Sequence, residues 1–259
     1  MGRSGRGVLL VKRVGFRGCV ALFSVGIAVF SYGIRERIRG RRIETIIQTG
    51  PEKEALRSDY LAELIGCYSG ASSPRFTLKN VRESLMRSHV METVRLAWAG
   101  KEALTIDYSV RKPYLYLAEY RNAVCDRKGY PFPLFPFRKR ERLPSVYAGL
   151  TSLRWGRPPQ SYSRIRQFLE YLEKETDFFS MAVVDMTRAD HPSPGRREIT
   201  VEIPYERGTV FLRLTPVGYR EELVRYRRLS LPEGDMVVDL RLKDTALIKA
   251  IDSVKHRTL

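Results

Sequence analysis

Apolar and polar positions along the chain fall into three regimes. The first has no alternation at all. Gly18 to Ile34 (GCVALFSVGIAVFSYGI) carries no charge and is closed by Arg17 and Arg35. As a helix it extends roughly 25 Å at 1.5 Å per residue, a little short of a hydrocarbon core about 30 Å thick. Flanking arginines can snorkel to headgroups and make up the difference. The run predicts a transmembrane helix over 18–34, with a buried core helix as the alternative. Arg3, Arg6, Lys12, Arg13 and Arg17 precede it, as in a basic cytoplasmic tail over 1–17. Arg35, Arg37, Arg39, Arg41 and Arg42 follow it, so charge alone leaves the topology open. Ser31 and Gly33 also have the separation of a signal-peptide cleavage site.

The second regime, 43–110, switches from helical spacing to a period of two. Ile43–Gln48 is β-branched and apolar and predicts a short strand. Thr49, Pro51 and Glu52 offer a capping-box start to a helix. Leu56, Tyr60, Leu61, Leu64 and Ile65 form its apolar face, and Gly66 stops it. Thr77 opens a second helix with Leu78, Val81 and Leu85 on one side. Val94, Leu96 and Trp98, then Leu104, Ile106, Tyr108 and Val110, alternate with polar neighbours around a turn at Ala99–Lys101. They predict a hairpin with one face buried. The order is strand, helix, helix, strand, strand. A three-stranded sheet under two helices is its natural packing.

The third regime, 111–250, is β-rich with two helices. Pro113 marks a junction, since proline cannot donate into a central ladder. Tyr114, Tyr116, Ala118 and Tyr120 alternate, Asp126–Gly129 suits a hairpin turn, and Pro131–Pro136 can serve only as edge or loop. Tyr162, Ile165, Phe168, Leu169 and Leu172 predict a helix ending before Thr176. Strands are expected near Met181–Asp185, Ile199–Ile203, Thr209–Leu214 and Met236–Leu242, with a helix over about Glu221–Leu229 before the last. Ala246–Ile248 could add a final strand, and 251–259 is a tail.

Composition changes this picture in two places. The 259 residues carry a formal net charge of +17 and 43% hydrophobic residues, so wholesale disorder is excluded. The basic excess suits nucleic acid or an anionic membrane surface. Part of it flanks the apolar run, where lipid headgroups account for it. Arg138, Lys139, Arg140 and Arg142 beside Phe135 and Phe137, and Arg225, Arg227 and Arg228 around Tyr226, interleave cations with aromatics, as stacking and phosphate contact require. Of the three cysteines, Cys19 belongs to the apolar run. Cys67 and Cys125 could pair in an oxidising compartment or stay as small buried side chains.

The order of elements and three passages resemble the bacterial cell-division family FtsQ, called DivIB in some lineages. The passages are ALTIDYSVRKPYLYLAEY at 103–120 (with an R-x-P at Arg111 and Pro113), AVCDRKGYPF at 123–132 (a D-x-x-G at Asp126 and Gly129), and VVDLRLKDTALI at 237–248 (the "DLR" of Asp239, Leu240 and Arg241). Leu242 stands where that family usually has an aromatic. The resemblance implies an α+β fold class. A single N-terminal transmembrane helix leads into a POTRA-like β-α-α-β-β module over 43–110, then a β-rich domain with two helices over 111–250. It implies a non-catalytic, membrane-anchored scaffold of the divisome: single-pass in the bacterial inner membrane, N-terminus cytoplasmic, bulk periplasmic or outer-face, at the septum. FtsB- and FtsL-like proteins are the implied partners. They would add a strand along Leu242, Thr245, Ala246, Leu247, Ile248, Lys249 and Ala250. A periplasmic POTRA-type chaperone for secretion or outer-membrane insertion, and a basic nucleic-acid-binding protein, are the alternatives.

Nothing in the sequence spells an active site. GxSxG, P-loop, GxGxxG and HExxH motifs are absent. Asp177, Asp185 and Asp190 are too loosely spaced for a paired-carboxylate site. The expectation is no enzyme, no cofactor, no metal and no small-molecule substrate.

Overall fold

The computed structural model describes residues 40–67, 75–137, 142–205 and 208–251. Its first unit is a three-stranded sheet of order β1-β3-β2, made of β1 (Thr45–Thr49), β2 (Met91–Trp98) and β3 (Ala103–Val110). β1 runs parallel to β3, and β2 runs antiparallel to it. Helices α1 (Ser58–Ile65) and α2 (Leu78–Arg87) pack on this sheet. Leu104, Ile106, Tyr108 and Val110 turn inward from β3 and meet Leu61, Ile65, Val81 and Leu85 in a buried cluster. The Thr77 hydroxyl accepts the Asn80 N–H to cap α2, and Gly66 ends α1 in the left-handed conformation at φ +79°.

The expected capping box does not form. α1 begins at Ser58 rather than at Pro51 because Glu52 is engaged elsewhere: its carboxylate accepts the Val110 N–H at 2.6 Å. The Leu56 N–H meanwhile donates to the Tyr108 hydroxyl at 3.3 Å. Both contacts pull 51–56 across the sheet as a turn and a bridge.

A nine-stranded mixed sheet forms the second unit, in the order β12-β11-β10-β9-β8-β7-β4-β5-β6. The strands are β4 (Leu115–Leu117), β5 (Ala123–Cys125), β6 (Pro131–Pro133), β7 (Ser145–Tyr147), β8 (Val183–Asp185), β9 (Ile199–Tyr205), β10 (Gly208–Leu214), β11 (Met236–Asp239) and β12 (Leu247–Ala250). Helices α3 (Tyr162–Glu175) and α4 (Tyr219–Tyr226) join their apolar stripes to the sheet's buried face. Tyr162, Ile165, Phe168, Leu169 and Leu172 come from α3, and Ile199, Val201, Val210, Leu212, Val238 and Leu240 from the sheet side. The other face shows half-buried polar positions, including Thr200, Glu202, Arg213 and Asp239. Inside-out alternation of this kind is expected where an antiparallel sheet is covered on one side only.

The fold class expected from the sequence is corrected here. The described residues are mostly sheet, in two sheets, with four α-helices among them. No described helix is long and apolar enough to cross a membrane. The longest, α3, has 14 residues and keeps charged residues along its exposed side. It therefore reaches about 21 Å, against a hydrocarbon core of about 30 Å. The stretch Gly18–Ile34, on which the transmembrane expectation rested, lies outside the described residues, as does the tail 252–259.

Two of the sequence passages meet at the seam between the sheets. Arg111 donates to the His89 carbonyl at 3.1 Å and pairs with Asp126 at 2.8 Å. Asp126 also accepts the N–H groups of Lys128 and Tyr130, both at 2.9 Å, which folds the β5–β6 hairpin. Gly129, at φ +87°, lies against the Tyr162 ring, where a Cβ would come within 2.3 Å. The R-x-P arginine and the D-x-x-G turn are thus one largely buried structural joint. Both Cys67 and Cys125 are free, and burial pushes the Cys125 thiol up to about 12.

Candidate docking edge

The strand expected at Ala246–Ile248 exists, shifted to Leu247–Ala250, and it forms one end of the large sheet. It pairs antiparallel with β11, matching Asp239 to Leu247, Val238 to Ile248, Val237 to Lys249 and Met236 to Ala250. Beyond the strand, the Ile251 N–H donates to the Asp235 carbonyl at 2.8 Å. Antiparallel ladders alternate hydrogen-bonded and non-hydrogen-bonded pairs. That bond therefore fixes the phase. Leu247 and Lys249 turn their backbone groups to β11, while Ile248 and Ala250 turn theirs to the open side. Among the described residues no strand lies beyond β12. All four of its residues are exposed.

Exposed aliphatic surface gathers at the same place. Leu242 is 52% exposed, Leu247 54% and Ile248 43%. Thr245 is exposed as well, and its N–H donates to the Leu242 carbonyl at 3.4 Å. Ala246 is half-buried against the main core. The seven residues expected from sequence to face a partner are thus contiguous, and the fold sorts them. Leu242 and Thr245 lie on the approach, Ala246 anchors, and Leu247–Ala250 form the edge.

The approach is held from below. Arg225, in the last turn of α4, donates to the carbonyls of Leu240 at 2.7 Å, Leu242 at 2.9 Å and Thr245 at 3.4 Å. One guanidinium thereby gathers three carbonyls of the β11–β12 connection, and its fork geometry suits that task. Asp244 takes φ +55° in the turn, a conformation that aspartate tolerates better than most residues.

Beside the edge, the "DLR" residues build a charge network instead of a contact surface. Asp239 accepts the Arg241 N–H at 3.1 Å and pairs with its guanidinium at 2.7 Å, which terminates β11. Leu240 is fully buried. Glu198 on the neighbouring face is 7% exposed and binds Arg188 at 2.9 Å, Arg213 at 2.5 Å and Arg241 at 3.2 Å. Burial alone would raise its pKa. The three guanidinia outweigh burial and hold the carboxyl below its ordinary value. Asp239 is lowered in the same way, chiefly by Arg241 against the opposing pull of burial. Glu198, Arg188 and Arg213 escaped the sequence reading because they sit on separate segments with no motif spacing.

The other candidate residues do not converge. Asp185 accepts the N–H and hydroxyl of Thr187 at 2.8 and 2.6 Å, while Asp190 pairs with Arg164. No group of three metal-ligating side chains occurs among the described residues. Arg225 is occupied as above, and Arg227 pairs with Glu175 at 3.0 Å. Tyr226 packs edge-on against Phe178 at 6.5 Å, so its ring is not a stacking platform. Arg138, Lys139 and Arg140 lie outside the described residues.

No family model matches this chain, and a search of curated proteins finds no match either.

Proposed function

We propose that this protein is a non-catalytic docking scaffold that captures a partner by strand addition along the outer edge of β12. The observation that carries this reading is the outward backbone of Ile248 and Ala250, which no strand pairs among the described residues, on an exposed strand beside Leu242 and Leu247. Main-chain bonds would supply affinity, and alternating side chains would set register. In this reading the partners are FtsB- and FtsL-like divisome proteins, and the site of action is the septum, on the periplasmic or outer face. Support comes from the resemblance of the three passages and from the position of the third, which leads straight into β12.

Co-purification with FtsB- and FtsL-like proteins tests the proposal. Ile248→Pro removes an outward N–H and leaves the β11 ladder whole, because proline is tolerated where its missing donor faces solvent. The expected result is loss of capture with an unchanged circular dichroism spectrum and melting midpoint. Undiminished capture by this variant would exclude the edge as the docking site. Failure of the native chain to retain either protein would exclude the divisome partners.

A further inference from the structure

Away from β12, a groove of about 730 Å³ opens between the loop 148–161, the first turn of α3 and the segment 186–190. Its walls are set by contacts that need no ligand. The Glu119 carboxylate accepts the N–H groups of Ala148 and Gly149, the latter at 2.7 Å. The Tyr120 hydroxyl donates to the Leu150 carbonyl at 3.1 Å. Gly156, at φ +72°, sits against the His89 imidazole so closely that a Cβ there would come within 2.8 Å of Nδ1.

Charge in the groove is one-sided. Three guanidinia line it, from Arg154, Arg157 and Arg164, against one carboxylate, that of Asp190. Asp190 pairs with Arg164. Arg154 and Arg157 are exposed, and among the described residues no carboxylate pairs with either. Between these cations the lining turns aliphatic, with Leu150, Leu153, Ile165 and Met186. Guanidinium forks match carboxylate and phosphate alike. An aliphatic floor separates the two, because phosphate gains nothing from it. The lining also holds no aromatic ring on which a base could stack.

We infer that this groove receives an acidic peptide segment of a partner protein, its carboxylates on Arg154 and Arg157 and its aliphatic side chains on the half-buried Leu150 and Leu153. The site is separate from β12 and does not depend on the docking edge. Fluorescence anisotropy of a labelled Glu-Leu-Glu-Leu-Glu peptide with the full chain, at physiological salt, tests it. The double variant Arg154→Ala, Arg157→Ala is expected to weaken binding about tenfold or more, as loss of two charge-assisted contacts requires. Removing the same charge from exposed positions of α2, by Arg82→Ala with Arg87→Ala, is expected to change it by less than about twofold. A Glu-Ser-Glu-Ser-Glu peptide is expected to bind about fivefold more weakly, because it gives up the aliphatic contacts. Ile248→Pro is expected to bind like the native chain. The inference is overturned by no binding to the native chain, by equal losses in the two arginine pairs, by equal affinity for the two peptides, by loss in Ile248→Pro, or by displacement with millimolar inorganic phosphate.

Discussion

The large sheet ends in two short edge strands that solve the same problem in opposite ways. On β6, the Asp126 N–H donates to the Tyr130 carbonyl and the Leu134 N–H to the Asn122 carbonyl. Those bonds bracket the strand and fix its phase. Phe132 turns to β5, while Pro131 and Pro133 occupy the outward positions. The edge therefore presents no N–H donor, and Pro131 is itself buried. On β12 the outward positions are Ile248 and Ala250, both exposed and both able to donate. Unprotected edges invite pairing, and proteins commonly blunt them with proline. Among the described residues one end of the sheet is blunted and the other is left open with exposed leucines beside it, and an open end is what the proposed strand addition requires.

The largest effect expected from disturbing this pair falls on the blunted end. Asp126→Ala removes the carboxylate that folds the β5–β6 hairpin and leaves Arg111 without its partner. The side chains of that pair are only 10% and 17% exposed. Breaking a largely buried pair by removing one member costs about 3–5 kcal/mol. Urea unfolding should show a midpoint shift of that size. A loss below about 1 kcal/mol would mean that β6 is held by something else.

Next in size is a contrast within β12. Leu247→Pro deletes a donor that faces β11, whereas Ile248→Pro deletes one that faces outward. The first should cost about 1–3 kcal/mol through a lost ladder bond and the ring's clash with it. The second should cost less than about 1 kcal/mol. Amide hydrogen exchange at β11 reads the difference directly. Equal destabilisation by the two variants would show that the phase of the ladder is wrong.

Acid separates the two ends again. Asp239 lies on β11 next to β12 and Glu198 joins it through Arg213 and Arg241, and both carry pKa values lowered below their unfolded values by these arginines. Each therefore adds stability that is present above its unfolded pKa, near 4 for such carboxyls, and is lost as pH falls through the lower folded value. Protection at β9–β11 should hold at pH 5 and above and decline below about pH 4. Glu198→Gln should flatten that dependence and lower neutral-pH stability by about 1 kcal/mol or more. An unaltered acid profile in Glu198→Gln would remove the network as its source.

How much of this could be read from the chain follows from where each signal is stored. The hairpin β2–β3 was legible because Leu104 through Val110 alternate over seven residues, and α3 because five apolar residues keep helical spacing. Gly66 and Thr77 declare helix ends by their own backbone and side-chain chemistry. β7 was not legible. Ser145–Tyr147 is three residues long, too short for a period, and its place is dictated by parallel neighbours from distant segments, β4 and β8. The late start of α1 was hidden for a related reason. Glu52 looks like a capping residue locally, and only the folded sheet shows that Val110 takes it. For the docking edge, the apolar tail of VVDLRLKDTALI announced a strand. The side to which Ile248 donates depends on register with β11, and no single strand carries that. The charge-free run at 18–34 announced a span on length and composition alone, and that run lies outside the described residues.

The smallest expected effect tests whether proline is what closes the β6 edge. Pro133→Thr restores one outward donor at a half-buried position, while Pro131 keeps the other closed. One exposed backbone bond is worth about 1 kcal/mol net, or about fivefold in an association constant. Loss of a proline also frees the unfolded chain, at about 0.4–1 kcal/mol of stability. The measurement belongs in a chain that also carries Ile248→Pro, so that β12 cannot pair. Sedimentation equilibrium of that doubly blunted protein should show less self-association than the native chain. Adding Pro133→Thr should then raise self-association by up to about fivefold. No rise at all would place the protection of β6 in the burial of Pro131 and not in missing donors. A rise to the native level or beyond would mean that the two edges are equally adhesive once proline is removed, and the case for β12 as the dedicated docking strand would fail.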